Sequence, residues 1–106
     1  MSCYVTIQLN GTTLSADAET SYHTPRTCEF AWSVYDNPAG RWHLHPTHSK
    51  ESIPDSYRPV PAKATGQSWL RGADKGDRGS ITVAVKFYNA DGTLADESTA
   101  TRCFDM

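Results

Sequence analysis

Residues 80–89 read Ser-Ile-Thr-Val-Ala-Val-Lys-Phe-Tyr-Asn, and no other stretch limits the possible folds as strongly. Ile81, Val83, Val85 and Phe87 recur at every second position, with Thr82, Ala84, Lys86 and Tyr88 between them. A period of two sends successive side chains to opposite faces of a β-strand, so one face packs on a core while the other meets water. The strand follows a loop studded with Gly72, Gly76 and Gly79, and it ends at Asn89-Ala90-Asp91-Gly92. An Asp-Gly pair after an alternating run predicts a hairpin, because glycine takes positive φ without steric cost. A returning strand is expected from Thr93 to Arg102.

Two further stretches alternate in the same way. Tyr4 to Leu9 points Val5, Ile7 and Leu9 inward, and Thr27 to Tyr35 places Cys28, Phe30, Trp32 and Val34 on one face. Asn10-Gly11 and the turn-rich Asp36-Asn37-Pro38-Ala39-Gly40 punctuate them, since Asn and Asp bond their own backbone and proline presets φ. A short strand follows from Arg41 to His45, with Trp42 and Leu44 on its core side. Thr12 to Thr20 is weakly patterned and reads either as a strand or as an irregular link. From Pro46 to Gly79 four prolines and four glycines break the chain, a texture of edge strands and long surface loops. No stretch shows a capped helical period. Short strands between turn signals in a chain of 106 residues predict one domain over 1–106, an all-β sandwich of mostly antiparallel strands.

Charge and composition exclude several functions. The formal net charge of −2 supplies no broad basic field, so nucleic acid is not an expected partner. No apolar run approaches the roughly 20 residues of a transmembrane helix. The first residues lack the charged and apolar blocks of a secretory signal, which leaves the compartment open, export by another route included. The three cysteines Cys3, Cys28 and Cys103 are an odd number. One pair can form, or the thiols stay free and buried.

Two features carry candidate chemistry. In His43-Leu44-His45-Pro46-Thr47-His48, histidines two apart on a strand share a face, so His43 and His45, with His48 or His23 as third ligand, can hold zinc or copper. The alternative is a solvated histidine face over a core of Trp42 and Leu44. Trp69 lies in the Gly- and Pro-rich segment as Gln67-Ser68-Trp69-Leu70-Arg71, and an indole with a polar rim can stack on a sugar or settle at a membrane interface. Tyr57 with Arg58 repeats the pattern. The expected ligand-binding residues are therefore Trp69, Arg71, Tyr57 and Arg58, carried on loops. The charged loop from Arg71 to Gly79, which includes Lys75-Gly76-Asp77, is read as a solvated turn. No nucleophile elbow, phosphate loop or reactive cysteine context is present.

The order of several short motifs resembles the aegerolysins and the wider actinoporin-like β-sandwiches. These are the Val5-Thr6-Ile7-Gln8-Leu9-Asn10 strand, Gly40-Arg41-Trp42, Ile53-Pro54-Asp55-Ser56, and Gly76-Asp77-Arg78-Gly79 before the strand at Ile81. The likeness touches about half the chain. Asp55 replaces a frequent glycine of that family, Asp77-Arg78 stands where the family has Thr-Glu, and its Trp-Asp-Asn-Pro segment has no counterpart after Asn89. The resemblance implies a non-enzymatic sandwich that recognises membrane lipid. Together these readings lead to a binding protein for lipid headgroups or glycans. A metal-binding protein built on the histidines, and a protein-interaction domain of effector or inhibitor type, are the alternatives.

Overall fold

The fold follows from two complementary inner faces. The computed structural model describes residues 3–37, 41–45, 48–53 and 62–106. Eight strands run β1 (Tyr4–Asn10), β2 (Thr13–Thr20), β3 (Thr27–Asn37), β4 (His43–His45), β5 (His48–Ser52), β6 (Ala62–Arg71), β7 (Arg78–Tyr88) and β8 (Leu94–Asp105). They form two four-stranded sheets, sheet A in the order β1-β2-β6-β4 and sheet B in the order β5-β3-β7-β8, with every pairing antiparallel. After β2 the chain changes sheet at each connection until β7. This is the expected all-β sandwich. No helix among the described residues is long and apolar enough to cross a membrane.

Sheet B presents large side chains to the core. Cys28, Phe30 and Trp32 on β3 and Ile81, Val83, Val85 and Phe87 on β7 are all buried, as their alternation predicts. The hairpin joining β7 to β8 is also as expected: Gly92 has a φ of 86°, and its amide donates to Asn89 O at 3.0 Å. The returning strand extends past Arg102 to Asp105, with a register shift at Phe87 and Tyr88.

The central strands of sheet A meet this face mainly with small residues, with Leu14 and Leu70 at one end. Ala16 and Ala18 on β2, and Ala62, Ala64, Gly66 and Ser68 on β6, all point inward. Gly66 lies under the Phe30 ring so closely that a Cβ there would come within 2.4 Å of the ring. Dense interiors are filled by matching large against small, and here each sheet supplies one half of the match.

The ends of the sandwich are closed by polar bonds. Thr20 Oγ1 on β2 donates to the buried Asp96 carboxylate on β8 at 2.7 Å. Arg102 on the edge strand β8 donates to Ile7 O on the edge strand β1 at 2.7 Å, joining the two sheets along one side. At the other end Asp77 is only 6 % exposed. It accepts from the Arg41 guanidinium, from Trp42 Nε1 at 3.3 Å and from the Asp74 amide at 2.8 Å. The loop expected to be a solvated turn is thus anchored by a buried carboxylate, and the Lys75-Gly76-Asp77 tripeptide does not present its aspartate to a partner. All three cysteines are free, Cys3 and Cys28 buried and Cys103 exposed.

Candidate functional site: the outer face of sheet A

Strand β6 positions the site. Its burial alternates without a break over ten residues, with Lys63, Thr65, Gln67, Trp69 and Arg71 on the outer face. Trp69 and Arg71, expected on a loop, stand instead on a strand in the interior of sheet A, paired with β2 on one side and β4 on the other. Hydropathy did not reveal the strand because its inward residues are Ala, Ala, Gly, Ser and Leu. Alternation in side-chain size was the signal available, and the Phe30 contact explains it.

Register assembles the neighbours. Residues directly opposite on adjacent strands share a face, with Cβ atoms about 5 Å apart. Asn10, Thr13, Trp69 and His45 therefore form one row across all four strands. Gln8, Ser15 and Gln67 form the next, and Thr6, Asp17 and Thr65 the one beyond it. Tyr4, Glu19 and Lys63 close the series, while Arg71 stands beside His43.

Trp69 is 43 % exposed and lines two hollows. The first, of about 390 Å³, is bounded by Ser49, Glu51, Thr65, Gln67 and Trp69. It forms because β4 pairs only with Trp69, Leu70 and Arg71, and beyond it β5 of the opposite sheet approaches β6. Ser49 and Glu51 pair with Phe30 and Cys28 and so share the core-facing side of sheet B. On this edge strand that side opens on to β6. The second hollow, of about 380 Å³, runs from Trp69 past Arg71 and Gly72 to the β1–β2 turn at Gly11 and Thr12. A third, of about 260 Å³, lies at the other end of β6 among Tyr4, Thr6, Asp17, Glu19, Lys63 and Thr65. A fourth, of about 360 Å³, lies at one end of sheet B, against Tyr35, Ser80, Cys103 and Phe104.

Internal bonds engage both carboxylates on the outer face of sheet A. Glu19 accepts from Tyr4 Oη and stands 3.5 Å from Lys63 Nζ, and holding the phenol's proton raises the Tyr4 pKa. Asp17 accepts from Thr65 Oγ1 at 2.8 Å. The side chains of Gln67, Trp69, Arg71, His43 and His45 have no hydrogen-bond or ion-pair partner among the described residues. They retain their donors and acceptors for a ligand.

The other expected residues divide. Tyr57 and Arg58 lie outside the described residues. His43 and His45 share an exposed face, the His48 backbone lies on β5 of sheet B, and the His48 side chain lies outside the described residues. Among the described residues no three His, Cys, Asp or Glu side chains converge as a metal site would require. The cross-strand neighbours of the histidine pair are an indole and a guanidinium, neither of which ligates metal. Ser49, Glu51, Thr65 and Gln67 were not singled out from the sequence, because what unites them is a contact between strands of different sheets. No family model matches the chain, and no curated protein or solved structure matches it.

Proposed function

We propose that the protein is a non-catalytic binding module that holds a glycan against the outer face of sheet A. The observation that carries this reading is Trp69, half-exposed on an interior strand where two hollows of mixed polar and apolar lining meet. A sugar ring has an apolar face of C–H groups and a rim of hydroxyls. The indole supplies a flat apolar surface for the first, and Gln67, Arg71, His45 and Asn10 supply donors and acceptors for the second. Placement on strands keeps these groups in fixed geometry, so little ordering entropy opposes binding. Exposed apolar residues on this face are few, Tyr4 and Trp69 among the large ones, which favours a hydroxylated ligand over insertion into lipid.

The test is a glycan array followed by calorimetric titration of the hits, with anionic and zwitterionic phospholipid vesicles in parallel. The vesicles represent the lipid recognition that the aegerolysin resemblance implies. Trp69→Ala is expected to weaken glycan binding about tenfold, equivalent to about 1.4 kcal/mol, and to leave the melting temperature nearly unchanged. Binding to vesicles with an empty glycan array would replace this reading by the lipid one.

A further inference from the structure

We propose that the ligand is an extended, uncharged polysaccharide chain running along β6, with Trp69 at one subsite and Tyr4 at a distant one. The inference rests on the glycan reading and extends it from a sugar to a polymer. Three of the hollows border the outward residues of β6, one among β1, β2 and β6, one against β5 and one at the end of the sandwich by Leu70, Ala73 and Met106, and neighbouring hollows share a wall. Thr65 lines both the Tyr4 hollow and the Glu51 hollow, and Trp69 lines both the Glu51 hollow and the one at the β1–β2 turn. Taken in order, these hollows border β6 from Lys63 to Arg71 as the track we assign to the ligand. Eight residue steps of strand span about 26 Å, room for several linked sugars and far more than a monosaccharide needs.

Charge selects the class. Along this track Glu19 is matched by Lys63 and bonded by Tyr4, and Asp17 is bonded by Thr65. Glu51 accepts from Ser49 at 3.3 Å. The three carboxylates Asp17, Glu19 and Glu51 thus stand against the two cations Lys63 and Arg71. A polyanionic chain would be repelled by Asp17, Glu19 and Glu51 along its length, whereas a neutral polymer carries no charge for them to repel. The aromatic side chains Trp69 and Tyr4 stand near opposite ends of the track, on different strands. A chain that follows β6 can reach both, and a short ligand can reach only one.

The experiment is a length series of neutral linear oligosaccharides, from disaccharide to hexasaccharide in the gluco-, xylo-, manno- and chito- forms, titrated against the wild type, Trp69→Ala, Tyr4→Ala and Lys63→Ala. In the series that binds, affinity is expected to rise with length and then level off. Tyr4→Ala is expected to weaken the longest oligomer about threefold to tenfold, the loss of one aromatic contact, with disaccharide affinity unchanged. Lys63→Ala, also exposed, gives a smaller loss confined to the long oligomers. Both variants must retain the wild-type melting curve. Equal affinity for disaccharide and hexasaccharide, or Tyr4→Ala without effect on the longest, overturns the polymer inference while the Trp69 site stands. Absence of binding to any neutral oligosaccharide overturns both.

Discussion

The two sheets of this sandwich divide its work. Sheet B turns its bulky residues inward and ties its outer face to itself. Lys50, Glu29, Lys86 and Glu97 alternate in charge across its four strands. The Lys50 ammonium lies 4.9 Å from the Tyr88 ring centroid, and Thr82 bonds Thr101 at 2.8 Å. Sheet A turns mainly small residues inward and leaves Gln67, Trp69, Arg71, His43 and His45 without internal partners among the described residues. Sheet B supplies the aromatic bulk of the core strands, sheet A adds Ile7, Leu14, Leu44 and Leu70 among smaller residues, and those unpartnered polar side chains gather on the outside of sheet A. Because β6 contributes little side-chain volume to the interior, its outer positions can vary with little cost to the fold.

That division is breakable, most severely at the large-on-small contact. Phe30→Ala is expected to cost about 4 kcal/mol, measured by chemical denaturation, because a fully buried ring leaves a cavity. Gly66→Ala is expected to cost about 1–3 kcal/mol by overpacking the same ring. Combined with Phe30→Leu its cost should shrink, since the two share one space. Additive losses would show that the sheets do not meet there.

Asp77→Ala comes next. It strips partners from Arg41 and from the buried Trp42 indole, and about 2–3 kcal/mol should be lost in the same assay. A loss near zero would show that the site end of sheet A does not depend on this anchor.

A smaller effect concerns pH. Burial, with the Asp96 carboxylate as second cause, pushes the Cys3 thiol from its ordinary 9.0 to about 12, and burial likewise raises Cys28. A folded-state pKa above the unfolded one means that the neutral thiol favours folding below pH 9. That contribution is lost as pH rises towards 12. The melting temperature of Cys3→Ala should therefore fall less between these limits than that of the wild type. In the native protein at pH 8, iodoacetamide should label Cys103 and spare the other two until denaturant is added.

The smallest stability effect belongs to the outer face of sheet A. Gln67→Ala should change stability by less than about 0.5 kcal/mol while weakening glycan binding measurably in titration. A large loss of stability would show that this face is part of the scaffold after all.

Much of the fold was legible in the sequence wherever the inward residues were large. β1, β3 and β7 declare themselves because Ile7, Phe30, Trp32 and Phe87 alternate with polar neighbours, and the Asp91-Gly92 turn fixes how β8 returns. The absence of a helical period was equally plain. β2 was legible only as a strand or an irregular link, and β6 not as a strand, because inward residues such as Ala16, Ala64, Gly66 and Ser68 are small and give a weaker alternation signal than Ile7 or Phe30. Their alternation makes sense only against the bulk of the opposite sheet. Trp69 and Arg71 were proposed from composition and chemistry, without their strand, their face or their neighbours. Glu51 and His45 come beside Trp69 through separate pieces of tertiary structure, one by the approach of an edge strand from sheet B and the other by the short pairing of β4. Periodicity is a local property written along the chain. Which two faces match in size, and which side chains that match leaves together on the outside, is decided only when distant strands pack.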